Sequence, residues 1–222
     1  MVRIAIVSAS LSESSSTQQL GQAIGDAVAA ELGGQIVHVS LRELAHAMTD
    51  NLLTGFPSQA LESAFDEVAH ADVVIAVTPT YNASYSGLFK TFFDVLPDGA
   101  LRDKPVAIGA TGGTPRHSLV TEHAIRPMFT YLHAITAPTA VFAATEDFGA
   151  HASDSDPSGG SSLTGRIRRL AKELAAIVGG SSSSERGTPE AEQATVADRS
   201  TPDVDAAREL FDDFKSMDEL FG

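Results

Sequence analysis

Apolar positions in this chain fall into short runs separated by longer stretches with helical spacing. Val2–Val7 is an apolar, β-branched run that ends in Ser8-Ala9-Ser10, and the residues from Gln18 to Leu32 then repeat with the period of a helix. Gly33-Gly34 stops that helix, and Gln35–Val39 predicts a second strand. Leu41–Pro57 is poorly periodic and predicts a connection with one short helix, broken at Gly55 and Pro57. Leu61, Ala64, Phe65 and Val68 predict a helix over Gln59–His70. Ala71–Val77 follows as a third strand, apolar on both faces, and such a strand belongs inside a parallel sheet.

Thr78–Asp94, TPTYNASYSGLFKTFFD, passes from turn residues and two tyrosines into an amphipathic helix starting at Gly87. Val106–Ala110 predicts a fourth strand, Ser118–Leu132 a helix, and Ile135–Ala144 a fifth strand with Pro138 near its start, where a missing amide donor is tolerated. Thr145–Ser162, rich in Gly, Ser and Asp, predicts a long mobile loop, and Leu163–Val178 a final amphipathic helix. Ser16 and Gln19 have capping-box spacing, which places the start of the first helix near Thr17. The regular alternation predicts an α/β fold, a flavodoxin-like three-layer sandwich with a five-stranded parallel sheet in the order 2-1-3-4-5.

Composition narrows the partners. A hydrophobic content of 43% over 222 residues suits one main domain, assigned to residues 1–180. The net charge of −14 argues against nucleic acid and anionic membranes, which require clustered Lys and Arg. With no cysteine there is no thiolate nucleophile or Cys-ligated metal, and the histidines lack paired ligand spacing, so no metal site is expected. The chain starts directly on a strand and has no run long enough to span a bilayer, which predicts a cytoplasmic protein. Residues 181–222 hold four Lys or Arg against eleven Asp or Glu, a net charge of −7. Composition predicts an acidic disordered linker over 181–202. Within 203–222, Leu210, Phe211, Phe214, Met217 and Phe221 form an amphipathic stripe that predicts a helix docking on its own domain or on a partner.

In a doubly wound sheet, ligands bind beyond the carboxyl ends of the strands at the point where strand order reverses, and three loops meet there. The first, Ser8–Thr17, has neither a dinucleotide fingerprint nor a Walker loop. It offers the hydroxyls of Ser10, Ser14, Ser15, Ser16 and Thr17 before a helix N-terminus, which suits a phosphate, although a Ser-rich turn with a capping residue fits equally well. The second loop offers Pro79, Thr80, Tyr81, Asn82 and Tyr85 for the edge and face of a planar ring, with Gly87 starting the next helix close against the site; alternatively the tyrosines are core residues around a turn. The third, Thr111–His117, offers the amides of Gly112 and Gly113, then Thr114, Arg116 and His117.

VSASLSESSST, TPTYNASYSGLFKTFFD and ATGGTPRH, in that order after successive strands, resemble the NAD(P)H-dependent FMN reductase family. Pro79, Tyr81, Asn82, Gly87, Leu88, Lys90 and Asp94 match its most specific segment, while Thr80 replaces a common Glu and the first loop lacks the usual Arg. TGGTPRHS with Arg126-Pro127 is similar to an actinobacterial subgroup that supplies reduced flavin to monooxygenases. The resemblance implies FMN as cofactor and NAD(P)H as co-substrate, with hydride passing from nicotinamide to flavin N5 and no general base. It implies FMN phosphate on Ser10, Ser15, Ser16 and Thr17, the isoalloxazine against Pro79, Thr80, Tyr81 and Asn82, its far edge on Gly112, Gly113 and Thr114, and Arg116 and His117 toward the nicotinamide or the flavin edge. It also implies a homodimer or dimer of dimers, with the aromatic surface of Phe89, Phe92 and Phe93 as core or subunit contact, and a flavin-dependent monooxygenase or quinone-type acceptors as partners. The competing expectations are an FMN-binding electron carrier or redox sensor that does not oxidise NAD(P)H, and an interaction module acting through the acidic tail.

Overall fold

The computed structural model describes residues 1–12, 15–148 and 162–184, with side chains to residue 180. In chain order the elements are β1 (Arg3–Ser8), α1 (Ser16–Leu32), β2 (Gln35–Ser40), α2 (Ala45–Thr54), α3 (Gln59–Ala69), β3 (Val73–Tyr81), β4 (Ser84–Tyr85), α4 (Gly87–Val95), β5 (Pro105–Gly112), α5 (Arg126–Tyr131), β6 (Ile135–Thr136), β7 (Val141–Ala144) and α6 (Leu163–Ser184). The sheet runs β2-β1-β3-β5, and β6 and β7 share the outer edge of β5, all in parallel. This is the expected five-position order, with its last position divided in two. The acidic segment beyond residue 184, the stripe at 203–222 and most of the expected loop at 145–162 lie outside the described residues.

Alternation along the strands divides the core into two layers. Ile4, Ile6, Val73, Ile75 and Val77 face α1 and α6, meeting Leu20, Ile24, Val28, Leu170 and Leu174. Ala5, Val7, Val74, Ala76, Ile108 and Ala110 face α2–α5, meeting Met48, Leu61, Phe65, Val68 and a cluster of phenylalanines. Phe89, Phe92, Phe93 and Phe129 stack edge to face, with ring centroids 4.8 Å apart for Phe89–Phe93 and 5.0 Å for Phe93–Phe129. All three phenylalanines of α4 are therefore core of this chain, which decides between the two expected roles, core or subunit contact, in favour of the core.

Pro138 explains the division of the last strand. Lacking an amide hydrogen, it cannot continue the ladder, so the continuous strand expected over Ile135–Ala144 is interrupted between β6 and β7. Side chains satisfy the freed backbone groups. The Arg126 guanidinium donates to the carbonyls of Ala137 (2.8 Å) and Pro138 (3.0 Å) and to Thr136 Oγ1 (2.9 Å). From the other side, the Glu173 carboxylate of α6 accepts from the Thr139 amide (2.7 Å) and hydroxyl (2.8 Å). Proline also shapes the helix that carries Arg126. Residues Thr121–Ile125 form a π-helical turn just before Pro127, with the Arg126 amide bonded to the Thr121 carbonyl, and Arg126 pairs bidentately with Glu122 at 2.6 and 3.0 Å. Helix α6 runs through Gly179 and Gly180 to Ser184, past the end expected at Val178, because glycine weakens a helix without ending it.

Arg126→Met leaves two carbonyls and Glu122 without their charged donor. It is expected to lower unfolding free energy by about 2–3 kcal/mol in urea titrations at neutral pH. The Arg126 guanidinium holds the Glu122 carboxyl below its ordinary value of 4.5. A depressed folded pKa contributes stability that is present above the unfolded value and lost as pH falls. The wild type should therefore exceed Glu122→Gln in stability above about pH 4.5 and converge with it under more acid conditions.

Candidate active site

Thr78–Ser86 forms a hairpin raised above the end of β3. Thr80 pairs with Tyr85 and Tyr81 with Ser84, leaving Asn82 and Ala83 as a two-residue turn with φ of 49° and 66°. Two left-handed residues make a type I′ turn, whose twist suits a tight hairpin. The base is closed by Thr78 Oγ1, which accepts from the Ser86 amide at 3.1 Å, while Ser86 Oγ caps α4 by accepting from the Phe89 amide at 3.2 Å. The third strand thus extends to Tyr81, beyond the expected end at Val77. Gly87 departs from expectation: it is exposed, and a Cβ there would meet nothing within 4 Å, so it makes no close approach.

Across the strand ends, the first loop leads into α1. Ser15 caps this helix, accepting from the Gln18 amide at 3.2 Å, so the cap lies one residue before the expected Ser16. Ser15 and Gln18 have the same three-residue spacing as the expected pair Ser16 and Gln19. The Ser10 hydroxyl hydrogen-bonds Ser15 Oγ, which folds the loop over the helix start. Ser16 and Thr17 occupy the first turn, where amides have no intrahelical acceptor. The Thr17 hydroxyl is turned inward, is 2% exposed and bonds Thr111 Oγ1 at 2.6 Å, tying α1 to β5.

The third loop leaves β5 at Gly112. A Cβ on Gly112 would lie 2.8 Å from Phe142 Cζ and 3.7 Å from Thr80 Cβ, so only glycine lets β5 pass between β7 and the hairpin. Gly113, Thr114 and Arg116 are exposed, and a Cβ on Gly113 would enter open space. Arg116 Nε donates to His117 Nε2 at 3.3 Å, so the imidazole accepts there.

Ladder register brings the three loops together: Ser8 opposite Val77, Thr78 opposite Ala110, and Pro79 opposite Thr111. The predicted residues of the three loops that are described thus lie at the carboxyl end of the sheet, while Ser14 lies outside the described residues. Thr78, Ser86 and Thr111 lie in the expected loops but had no role assigned from sequence, and Phe142 was expected only as part of the fifth strand; of these, Ser86 carries a local signal, a capping residue before an apolar helix. Two buried hydroxyls at this edge, Ser8 Oγ and Thr80 Oγ1, have no partner. Orphaned donors beside free helix amides and a glycine-lined gap suit a ligand with a phosphate and a planar polar ring. Among the described residues no group of His, Asp and Glu could hold a metal, and no helix is long and apolar enough to cross a membrane.

The sequence profile of the family described as NADPH-dependent FMN reductase matches residues 2–149. The chain belongs to that family. It is an oxidoreductase whose flavin is FMN and whose electron donor is a nicotinamide nucleotide. It is 37% identical over 152 residues to the NADH-dependent FMN reductase SfnF of Pseudomonas putida, an alignment spanning 68% of this chain and 82% of that one. Among solved structures, an oxidoreductase from Corynebacterium diphtheriae superimposes with a TM-score of 0.74 at 38% identity, covering 81% of this chain and 98% of that one. The apo form of the NADH:FMN oxidoreductase EmoB gives 0.69 at 28% identity, covering 79% and 89%. The residues of this reductase fit FMN on the observations above: the free amides of the first turn for the phosphate and the hairpin for the ring.

Ala83→Gly removes a Cβ from a left-handed position and is expected to raise stability by about 0.5–1 kcal/mol in urea titrations. Gly112→Val should cost about 1–3 kcal/mol by driving side chains into Phe142. Gly113→Val, facing open space, should stay within about 0.5 kcal/mol of wild type.

Proposed function

We propose that this reductase uses NAD(P)H to reduce FMN and hands the reduced flavin to a flavin-dependent monooxygenase, or passes its electrons to quinone-type acceptors. The observation that carries the reading is the open rim of the site: Tyr81 is 46% exposed, and Gly113, Thr114 and Arg116 are exposed beside it. A ring held there leaves room for a second ring to stack on it and for product to leave, which a carrier with an occluded flavin would not need. Bound FMN supplies a hydride acceptor at N5. The chain supplies position and charge. Ser10, Ser15 and Ser16 hold the phosphate, and Thr17 contributes its amide while its hydroxyl braces β5. Pro79, Thr80, Tyr81 and Asn82 meet the ring edge and face, Gly112, Gly113 and Thr114 its far edge, and Arg116 with His117 faces the nicotinamide nucleotide. The role of the protein is to hold two rings at reacting distance.

Leu53, Phe56 and Tyr131 are each more than 80% exposed, uncovered apolar side chains that support a homodimer or dimer of dimers in place of the buried α4 phenylalanines. The same reading places the enzyme in the cytoplasm. Mixing the protein with FMN and either NADH or NADPH in air should give steady loss of nicotinamide absorbance. Bound FMN without oxidation of either nucleotide would reduce the protein to an electron carrier. Gly113→Val should lower kcat/KM by about tenfold or more without unfolding the protein; unchanged turnover would remove the third loop from the site.

A further inference from the structure

Helix α1 meets the sheet across a smooth surface. Thr17, Leu20, Gly21, Ile24, Gly25 and Val28 form its buried face, which is aliphatic or glycine at every position but the first. Contacts of that kind hold a helix down without giving it direction along its axis. Thr17 supplies the direction. Its bond to Thr111 Oγ1 at 2.6 Å is, among the described residues, the only side-chain hydrogen bond from α1 to the sheet.

Both ends of this bond carry part of the site. Thr17 lies in the first turn of α1, among the free amides. Thr111 stands opposite Pro79 in the β3–β5 ladder and directly precedes Gly112 and Gly113. One bond therefore sets the span from the helix start to the roots of the second and third loops. For stability alone the pair is an indifferent choice. Thr17 is 2% and Thr111 4% exposed, each hydroxyl bonds only the other, and whichever accepts keeps a hydrogen without an acceptor among the described residues. Burying an incompletely satisfied hydroxyl offsets much of what the bond contributes, and two apolar groups of the same shape would serve about as well. What the bond adds beyond packing is a fixed distance and angle.

We infer that Thr17 and Thr111 are a positioning pair whose bond sets the distance between the phosphate end and the ring end of the flavin site, so that FMN engages both at once. The inference rests on the placement of FMN proposed above and adds the two side chains that set its span.

The test compares the full-length wild type, Thr17→Val, the double variant Thr17→Val with Thr111→Val, and Thr111→Ser by urea titration and by equilibrium binding of FMN and of riboflavin, followed by flavin fluorescence. Valine keeps the shape of threonine and removes the hydroxyl. Thr17→Val strands a buried hydroxyl and should lower the urea midpoint, and the double variant should recover most of that loss. Its Kd for FMN should nevertheless stay about tenfold above wild type, while that for riboflavin, which engages the ring end only, stays within about twofold. Thr111→Ser keeps the bond and should hold FMN within about threefold of wild type. A role in packing alone predicts that FMN affinity returns together with stability in the double variant. That result, equal losses for both flavins, or a loss in Thr111→Ser as large as in the double variant would overturn the inference. Should the double variant fail to fold, the ratio of the two dissociation constants in Thr17→Val decides, and a ratio equal to that of wild type overturns the inference. A wild type that binds FMN no tighter than riboflavin would instead overturn the placement of the flavin proposed above, and this inference with it.

Discussion

The close seating of α1 on the sheet is the constraint from which the site follows. Gly21 and Gly25 face the strands: a Cβ on the first would lie 3.0 Å from Val77 Cγ2, and on the second 2.6 Å from Ile6 Cδ1. On the sheet side, Gly109 leaves room for Val77, whose Cγ1 would sit 2.6 Å from an added Cβ. Missing side chains on both surfaces let the helix backbone approach more nearly than an aliphatic layer allows. The N-terminus of α1 is thereby held low over β1, β3 and β5, and the bond from Thr17 to Thr111 fixes it against the strand that carries the third loop. Free amides at the helix start and the root of the hairpin then lie at the same carboxyl end of the sheet.

Elsewhere the fold absorbs local breaks without disturbing that arrangement. Pro138 divides the edge strand, and Arg126 and Glu173 take up the exposed backbone groups from opposite layers. This network of Arg126, Glu122 and Glu173 thus serves the scaffold. Lys104 follows the same pattern: burial lowers its pKa, Asp72 partly offsets that effect, and its ammonium donates to the carbonyls of Ala69 and Ala71 at the amino end of the sheet, away from the candidate site. Hydride transfer between two rings asks for distance and orientation more than for a tuned acid or base. A site made of backbone amides, hydroxyls and glycine gaps meets that demand.

The division between the two sides of the first loop has a chemical meaning. Toward β3 and β5 lie the hairpin, Gly112 and the exposed third loop, surfaces suited to flat rings. At the start of α1 lie free amides and the hydroxyls of Ser10 and Ser15, groups suited to a compact anion. A molecule with a planar ring at one end and a phosphate at the other matches both sides of the switch point.

Sequence by itself determined the strand order and the three loops, because burial on both faces of Ala71–Val77 and the β-α alternation leave few topologies open. It also supplied the hydroxyls of the first loop and the glycines of the third, residue types whose chemistry is local. Tertiary structure alone decided the rest. Whether Thr17 offers a hydroxyl or hides it depends on Thr111, distant in sequence; whether Gly112 or Gly113 is the tight one depends on Phe142; and whether the phenylalanines of α4 face a partner or the core depends on where Phe65 and Phe129 lie. Through-space register of that kind is not written in any local stretch of the chain.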